Sequence, residues 1–293
     1  MKLGLALWRH GLQPFASQVL ATKALYRLML GLRLDLENPR DYNEKLQWLK
    51  LFWQHPLLVR CADKFAVRQY AAECGCPDVL NDLYGVYDRA ADIPWEKLPP
   101  QFVLRCTHGC GYNIICDDKA KLDERTTRAR LHDWMRIRYG RRYAEYHYDH
   151  IRPRIICEKY LQTPAGFLPV DYKIICANGQ ARIVLVATDR AKQLRWHFLD
   201  LAWKKLDIAL PPHNAGMPPP KPPCWDRMVA AVEALARPFP FVRVDCYDDN
   251  GRAVLGEMTF TPGAGLNAGY YSEAGLRYVG GLIQLPAKWR SAY

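Results

Sequence analysis

Two Asn-Gly dipeptides, Asn178-Gly179 and Asn250-Gly251, each lie between apolar runs of strand-like texture, and this pattern constrains the fold more than any other feature of the chain. Asn and Gly tolerate the positive φ values of a tight hairpin turn, so each dipeptide predicts an antiparallel pair. The first joins residues 171–177 to 181–187, and the second joins residues 241–249 to 252–260. Further apolar runs at Phe102 to Cys106, Asn113 to Cys116, Ile155 to Tyr160 and Trp196 to Leu201 add short strands. Residues 1–75 read instead as helical: Tyr42 to Leu49 and Leu57 to Tyr70 carry apolar residues three and four apart, and Pro39 and Pro56 punctuate them. An Arg-rich helix is expected at about 120–140 and another at 225–237, while Pro211-Pro212, Pro218 to Pro220 and Pro222-Pro223 mark a surface loop.

A chain of 293 residues buries a large core, either as one elaborate domain or as several subdomains. Its ten cysteines are scattered through apolar runs such as Ile155-Ile156-Cys157, which reads as buried reduced thiols rather than a disulfide scaffold. Cys74-Gly75-Cys76 and the Cys106/Cys110 pair lack the paired spacing of a zinc site. The net charge of +11 suits an anionic partner but chooses none, and no nucleic-acid partner is expected. The apolar stretch at the N-terminus is too short for a signal peptide, and no run reaches the roughly 18 apolar residues of a membrane span. A cytoplasmic location is therefore expected. Residues 15–34, with Lys23, Arg27 and Arg33 among Leu, Phe, Tyr and Met, leave peripheral contact with the inner membrane face open, although a helix packed on its own domain is the plainer reading.

The hairpin at 241–260 carries one acid on each strand, Asp245 and Glu257. Two carboxylates on one face repel unless a cation lies between them, and Mg²⁺ takes such oxygen ligands together with phosphate oxygens and water. Strand alternation sets a condition. A two-residue Asn250-Gly251 turn pairs Asp249 with Arg252 and Asp245 with Gly256, which leaves Glu257 on the wrong face. An odd-length loop or a bulge must intervene, and Gly251 in a left-handed bulge position is the expected device.

Three other places suit a nucleotide. In Arg105-Cys106-Thr107-His108-Gly109-Cys110-Gly111-Tyr112-Asn113, Gly109 and Gly111 leave room for backbone amides, with His108 between strands, to approach phosphate oxygens. Arg105 lies on the strand face opposite Phe102, Leu104 and Cys106. An ordinary hairpin is the competing reading. Glu158-Lys159 ends an apolar strand, where Glu158 could accept from ribose hydroxyls or simply be a solvated strand end. Lys173 shares a strand face with Asp171 and Ile175, and either a phosphate cation or a salt bridge fits it.

These stretches, with Tyr42 to Lys50, Asp63-Lys64-Phe65-Ala66-Val67-Arg68, Phe239 to Asp245 and Gly256 to Phe260, resemble in content and order the TupA-like branch of the ATP-grasp superfamily over about residues 40–265. The resemblance implies an α+β ATP-grasp fold in which two α+β subdomains close over Mg-ATP, here after a helical N-terminal region. On this chain that gives residues 1–75 as helical, 76–160 as the subdomain with the phosphate flap, and 161–293 as the subdomain with the Mg²⁺ site. Carried over residue by residue, the turn after Arg105 is the flap with His108, Gly109 and Gly111. Glu158 and Lys159 form the hinge near the ribose, Lys173 is a phosphate cation, and Asp245 and Glu257 are the Mg²⁺ ligands. The branch usually has Lys at Arg105, Ser-Gly-Gly at Cys110-Gly111-Tyr112, and, in ATP-grasp enzymes more widely, Asn at Thr259. Tyr112 is therefore expected to restrict the flap or touch substrate, and Thr259 to make a weaker metal or substrate contact.

The chemistry the resemblance implies is ATP-dependent carboxylate–amine ligation through an acyl phosphate. Its substrate would be a cell-surface polysaccharide or a uronic-acid or peptide precursor of one. Arg243, on the face of Asp245, is the expected stabiliser of the transferring phosphoryl group, and Asp189-Arg190 read either as substrate contacts or as a surface ion pair. Two alternatives stand beside it: a kinase acting on a sugar or glycan hydroxyl, and a non-catalytic protein that binds anionic glycan or nucleic acid.

Overall fold

The computed structural model describes residues 17–163, 166, 168–188 and 194–289. Helix α1 (Gln18–Leu30) is capped by Ser17 and stops at Gly31, whose φ of 71° few side chains tolerate. In α2 (Tyr42–Phe52) the Asp41 side chain accepts from the Glu44 amide while Glu44 reaches back to the cap, which closes a capping box. Two shorter helices follow, α3 (Pro56–Ala62), which opens with its proline in the first turn, and α4 (Ala66–Glu73).

Beyond them come β1 (Leu83–Tyr87), β2 (Phe102–Cys106), β3 (Asn113–Cys116), helix α5 (Glu124–Met135) and β4 (Ile155–Lys159). The four strands form one antiparallel sheet in the order β1-β4-β2-β3. Its buried side carries Phe102, Leu104, Cys106, Ile114, Ile155 and Cys157, packed with Trp95 and with Leu131 of α5. The Arg-rich helix is shorter than its composition predicts: Asp123 caps it, and the chain turns away after Arg136. At Gly140 a Cβ would stand 2.8 Å from the Glu145 carbonyl oxygen, so the turn there needs glycine.

The second sheet comprises β5 (Asp171–Ala177), β6 (Gln180–Thr188), β7 (Arg195–Leu199), β8 (Phe241–Asp249) and β9 (Arg252–Thr259), with helix α6 (Trp225–Ala236) between β7 and β8 and α7 (Glu273–Leu282) after β9. All its pairings are antiparallel, in the order β7-β6-β5-β8-β9. Both Asn-Gly turns have positive φ at both central residues, 52° and 77° at Asn178-Gly179 and 55° and 89° at Asn250-Gly251, as a two-residue hairpin demands. Met228, Val232 and Leu235 of α6 pack on one face of this sheet in a core that also takes in Leu46 and Trp53 from the N-terminal helical region. All ten cysteines are free thiols; eight are buried, Cys74 is half-buried and Cys110 is exposed. No helix among the described residues is long and apolar enough to cross a membrane.

Candidate active site

Three neighbouring strands of the larger sheet bring Lys173, Asp245 and Glu257 into one row: Lys173 pairs with Asp245 across β5 and β8, and Asp245 with Glu257 across β8 and β9. The hairpin turn is the plain two-residue form that pairs Asp249 with Arg252, so it supplies no odd residue. The shift comes lower in the ladder, where Cys246 pairs with Leu255 and the next pair is already Asp245 with Glu257, leaving Gly256 as the extra residue. Gly251 is thus a turn residue and the bulge sits at Gly256. A Cβ there would lie 2.8 Å from the Tyr247 ring and 3.0 Å from the Asp245 carbonyl oxygen, which explains the glycine.

The Asp245 carboxylate is 2% exposed and fully engaged. Lys173 Nζ approaches its Oδ2 at 2.5 Å, and Arg243 donates through Nε to Oδ1 at 2.6 Å and through Nη2 to Oδ2 at 2.8 Å. Lys173 also pairs with Asp171 at 2.8 Å, so both readings of this lysine coexist in one side chain. Arg243 reaches sideways to Thr259 Oγ1 at 3.2 Å and lies 3.7 Å from Glu257 Oε1. Thr259 in turn donates to Glu257 Oε1 at 3.4 Å.

From the smaller sheet, Arg105 spans the gap. Its Nη1 donates to the Gly256 carbonyl at 3.0 Å and to Glu158 Oε2 at 3.4 Å, while Nη2 reaches Glu257 Oε2 at 3.5 Å. Lys64, just before α4, contacts the same Glu257 oxygen at 3.3 Å and donates to the Gly109 carbonyl at 2.7 Å, and Arg68 holds the other Glu158 oxygen at 3.3 Å. Burial opposes ionisation of Glu257, but Lys64, Arg105, Arg243 and Lys173 outweigh it and hold the carboxyl far below the usual glutamate range. Burial likewise works against the Arg243 and Lys173 cations, and Asp245 overcomes it to raise both above their ordinary values.

A cavity opens on each side of this cluster. One, of about 150 Å³, is lined by Arg105, Glu158, Lys159 and Tyr247 with apolar walls from Val103, Ile115 and Leu161. The other, of about 320 Å³, is lined by Arg243, Glu257 and Thr259 together with Glu145, Thr261 and three tyrosines. The ion-pair cluster therefore stands between an apolar slot with a carboxylate at its wall and a larger aromatic chamber.

The 107–112 turn departs from its expected form. His108 is 2% exposed with Nε2 at 3.1 Å from the Trp134 carbonyl, and Tyr112 stacks on Trp134 at 5.5 Å, so both side chains are anchored beneath the turn. Gly109 is wedged against the rings of Tyr112 and Tyr139, while Gly111, with φ 79°, is open. The structure thus brings together Arg105, Glu158, Lys173, Arg243, Asp245, Glu257 and Thr259, sets Lys159 at the rim beside Asp249 at 3.6 Å, and turns His108 and Tyr112 away from the cluster. Asp189 and Arg190 lie outside the described residues.

The TupA-like ATP-grasp family model matches residues 44–275, most of the chain. The chain belongs to the TupA-like ATP-grasp family. Its two antiparallel sheets with their helices are the α+β ATP-grasp fold, preceded by the N-terminal helices. Among solved structures it is similar to the D-alanine–D-alanine ligase of Helicobacter pylori, at 11% identity over 84% of this chain and 70% of that one with a TM-score of 0.48. The corresponding ligase of Bacillus anthracis gives 12% identity, 69% and 57% coverage and a TM-score of 0.42. A D-cycloserine synthetase gives 15%, 76% and 70% with 0.38. The chain thus spans little more than half the length of the B. anthracis ligase, and the family assignment rests on the 44–275 match. No curated protein matches the chain.

In this ATP-grasp chain the structure adds residues to which the sequence assigned no role. Lys64 and Arg68 are four apart, across the start of α4, and reach Glu257 and Glu158. Asn43, Gln47 and Lys50 lie on one face of α2 and hold the 261–267 loop: Asn43 exchanges hydrogen bonds with Asn267 at 3.0 and 2.9 Å, Gln47 donates to Gly265 at 2.7 Å, and Lys50 to Ala264 at 3.5 Å. Their spacing of four and three was the available signal, since polar residues on a buried helix face need partners.

The residues fit Mg²⁺ with nucleotide. Asp245, Glu257 and Thr259 offer carboxylate and hydroxyl oxygens, which a hard divalent ion prefers, and in this structure Lys64, Arg105, Lys173 and Arg243 contact those carboxylates. No group of three or more His, Cys, Asp or Glu that could hold a metal is present among the described residues, so phosphate and water oxygens would have to complete the shell.

Proposed function

We propose that this chain is an ATP-dependent, Mg²⁺-dependent carboxylate–amine ligase acting on a cell-surface polysaccharide or on a uronic-acid or peptide precursor of one. The observation that carries the proposal is the row Lys173–Asp245–Glu257, flanked by Arg105 and Arg243, set between two cavities. Five cations, Lys64, Arg68, Arg105, Lys173 and Arg243, contact four acids, Glu158, Asp171, Asp245 and Glu257, which leaves one positive charge over for a polyanion. In the apolar slot, Glu158 would accept from ribose hydroxyls while the aliphatic walls cover the base. Asp245 and Glu257 would hold Mg²⁺, which offsets phosphate charge when bound.

Charge exchange gives the site its mechanism. Phosphate oxygens would draw Lys173 from Asp245 and Arg105 and Lys64 from Glu257, and Arg243 would turn from Asp245 toward the larger chamber, which opens the carboxylate oxygens to the metal. Arg243 borders the larger chamber as well as Asp245, so its guanidinium is positioned to stabilise a carboxylate as it becomes an acyl phosphate. Thr259 steadies the Glu257 oxygen between them.

The deciding measurement is ADP release by purified protein with panels of uronic acids and peptidyl carboxylates, each with and without amino acids or amino sugars. Turnover that needs both partners supports ligation. Turnover with a neutral sugar alone would replace the ligase with a kinase, and binding untouched by Asp245→Asn would replace both with a non-catalytic role.

A further inference from the structure

Glu145 is a buried carboxylate with no part in the nucleotide cluster, yet it lines the larger chamber with Arg243 and Glu257. Thr261 donates to its Oε1 at 2.5 Å, and among the described residues no other side chain hydrogen-bonds this carboxylate. The chamber's charged lining is two acids, Glu145 and Glu257, against one cation, Arg243. Glu257 already has Arg105 and Lys64 on its other oxygen, whereas Lys50, the cation nearest in effect to Glu145, forms no ion pair with it among the described residues and does not line the chamber, so Glu145 is the carboxylate placed to meet a cationic ligand there. Tyr139, Tyr143 and Tyr148 supply apolar walls with polar rims.

We propose that this chamber receives the nucleophilic acceptor, a primary amine, and that Glu145 binds its ammonium group and takes its proton. The proposal rests on the ligase reading and assigns the second substrate's site within it. An ammonium nitrogen has no lone pair and is inert, so one proton must leave before attack. Glu145 accepts that proton. The amine lone pair then forms the C–N bond to the acyl carbon, the C–O bond breaks with its electron pair going to the departing phosphate, and the second N–H proton passes to phosphate or water.

The surroundings suit that task. Burial pushes Glu145 up to about 7, with the Thr261 bond and the Lys50 charge pulling partly the other way, which places it near the working range of a general base. Lys50 of α2, buried behind it, is itself lowered to about 8 by burial, and its Nζ donates to the Tyr143 carbonyl at 3.2 Å. His147 from the same 139–150 segment is held neutral well below its ordinary value by burial and by Lys50, so it adds no competing charge.

Cys110 gives a probe that needs no known substrate, because its thiol is exposed and lines this chamber. The rate of Cys110 modification by cationic 2-aminoethyl methanethiosulfonate, divided by the rate with neutral methyl methanethiosulfonate, cancels thiolate fraction and reports local charge. Read on the Cys110 peptide by mass spectrometry, the ratio should rise about threefold or more between about pH 6 and 8 as Glu145 ionises. On a Lys50→Met background, which removes the other group titrating in this range, the rise should vanish with Glu145→Gln and return with Glu145→Asp. A flat ratio in the wild type, or a rise that persists in Glu145→Gln on that background, overturns the assignment. Mg-ADP titration of the same proteins separates the failures: a wild type that binds no Mg-ADP sinks the nucleotide reading, whereas intact Mg-ADP binding with a flat ratio sinks only Glu145.

Discussion

Asp245 and Glu257 stand directly opposite each other on β8 and β9 because Gly256 is bulged out between Glu257 and Leu255. The bulge converts a register that would separate the two acids into one that pairs them. Gly256→Ala should therefore strain the site: the added methyl meets the Tyr247 ring at 2.8 Å and the Asp245 carbonyl at 3.0 Å. We expect a loss of about 1–3 kcal/mol in urea unfolding and weakened Mg²⁺-dependent ADP binding. Unchanged values in both would show that the pairing tolerates a side chain there.

Removing either acid should act on the metal more than on the fold. Asp245→Asn and Glu257→Gln should each lower Mg²⁺-dependent turnover at least about 100-fold, a loss of about 2.7 kcal/mol in transition-state stabilisation. A Mg²⁺ titration of nucleotide binding is the check, and wild-type Mg²⁺ dependence in both variants would remove these residues from the metal site.

Arg105 makes three contacts that a single ammonium cannot reproduce together, to Glu158, Glu257 and the Gly256 carbonyl. Arg105→Lys should weaken ATP affinity by less than about tenfold, while Arg105→Ala should weaken it by well over tenfold. Isothermal titration with ADP tests the order, and an alanine variant that binds as well as the lysine one would contradict it.

Acid stability should carry the mark of Glu257. Its carboxyl is lowered from 4.5 in the folded protein, so its contribution is fully present above that ordinary value and is lost only as pH falls through the lowered native one. The stability difference between wild type and Glu257→Gln should stay constant from about pH 8 to 5 and shrink only in stronger acid. A difference that already disappears near pH 6 would mean the surrounding cations do not hold this group.

Lys50 favours the ionised form of Glu145, so Lys50→Met should move the Glu145 midpoint to higher pH. The Cys110 reactivity ratio measures this directly. No movement, in a variant whose circular dichroism is native, would uncouple the two residues.

The local signals in the sequence were strong where chemistry is local. Asn178-Gly179 and Asn250-Gly251 fix two hairpins through backbone conformation alone, and strand alternation puts Arg105 opposite Phe102 and Leu104 whatever packs above. The ordered motifs were sufficient for the family and its α+β fold. What alternation could not supply was the extra residue at Gly256, because a bulge is chosen by cross-strand packing, here of the Tyr247 ring, and a glycine at a turn looked equally able to provide it. Nor could it place His108 and Tyr112 beneath their turn, since Trp134, which anchors both, is 22 or more residues away in the chain. The union of Lys64, Arg105, Lys173 and Arg243 around two acids belongs to the tertiary structure alone. Charges from the N-terminal helical region and both sheets become partners only when folding removes the water that would otherwise screen them.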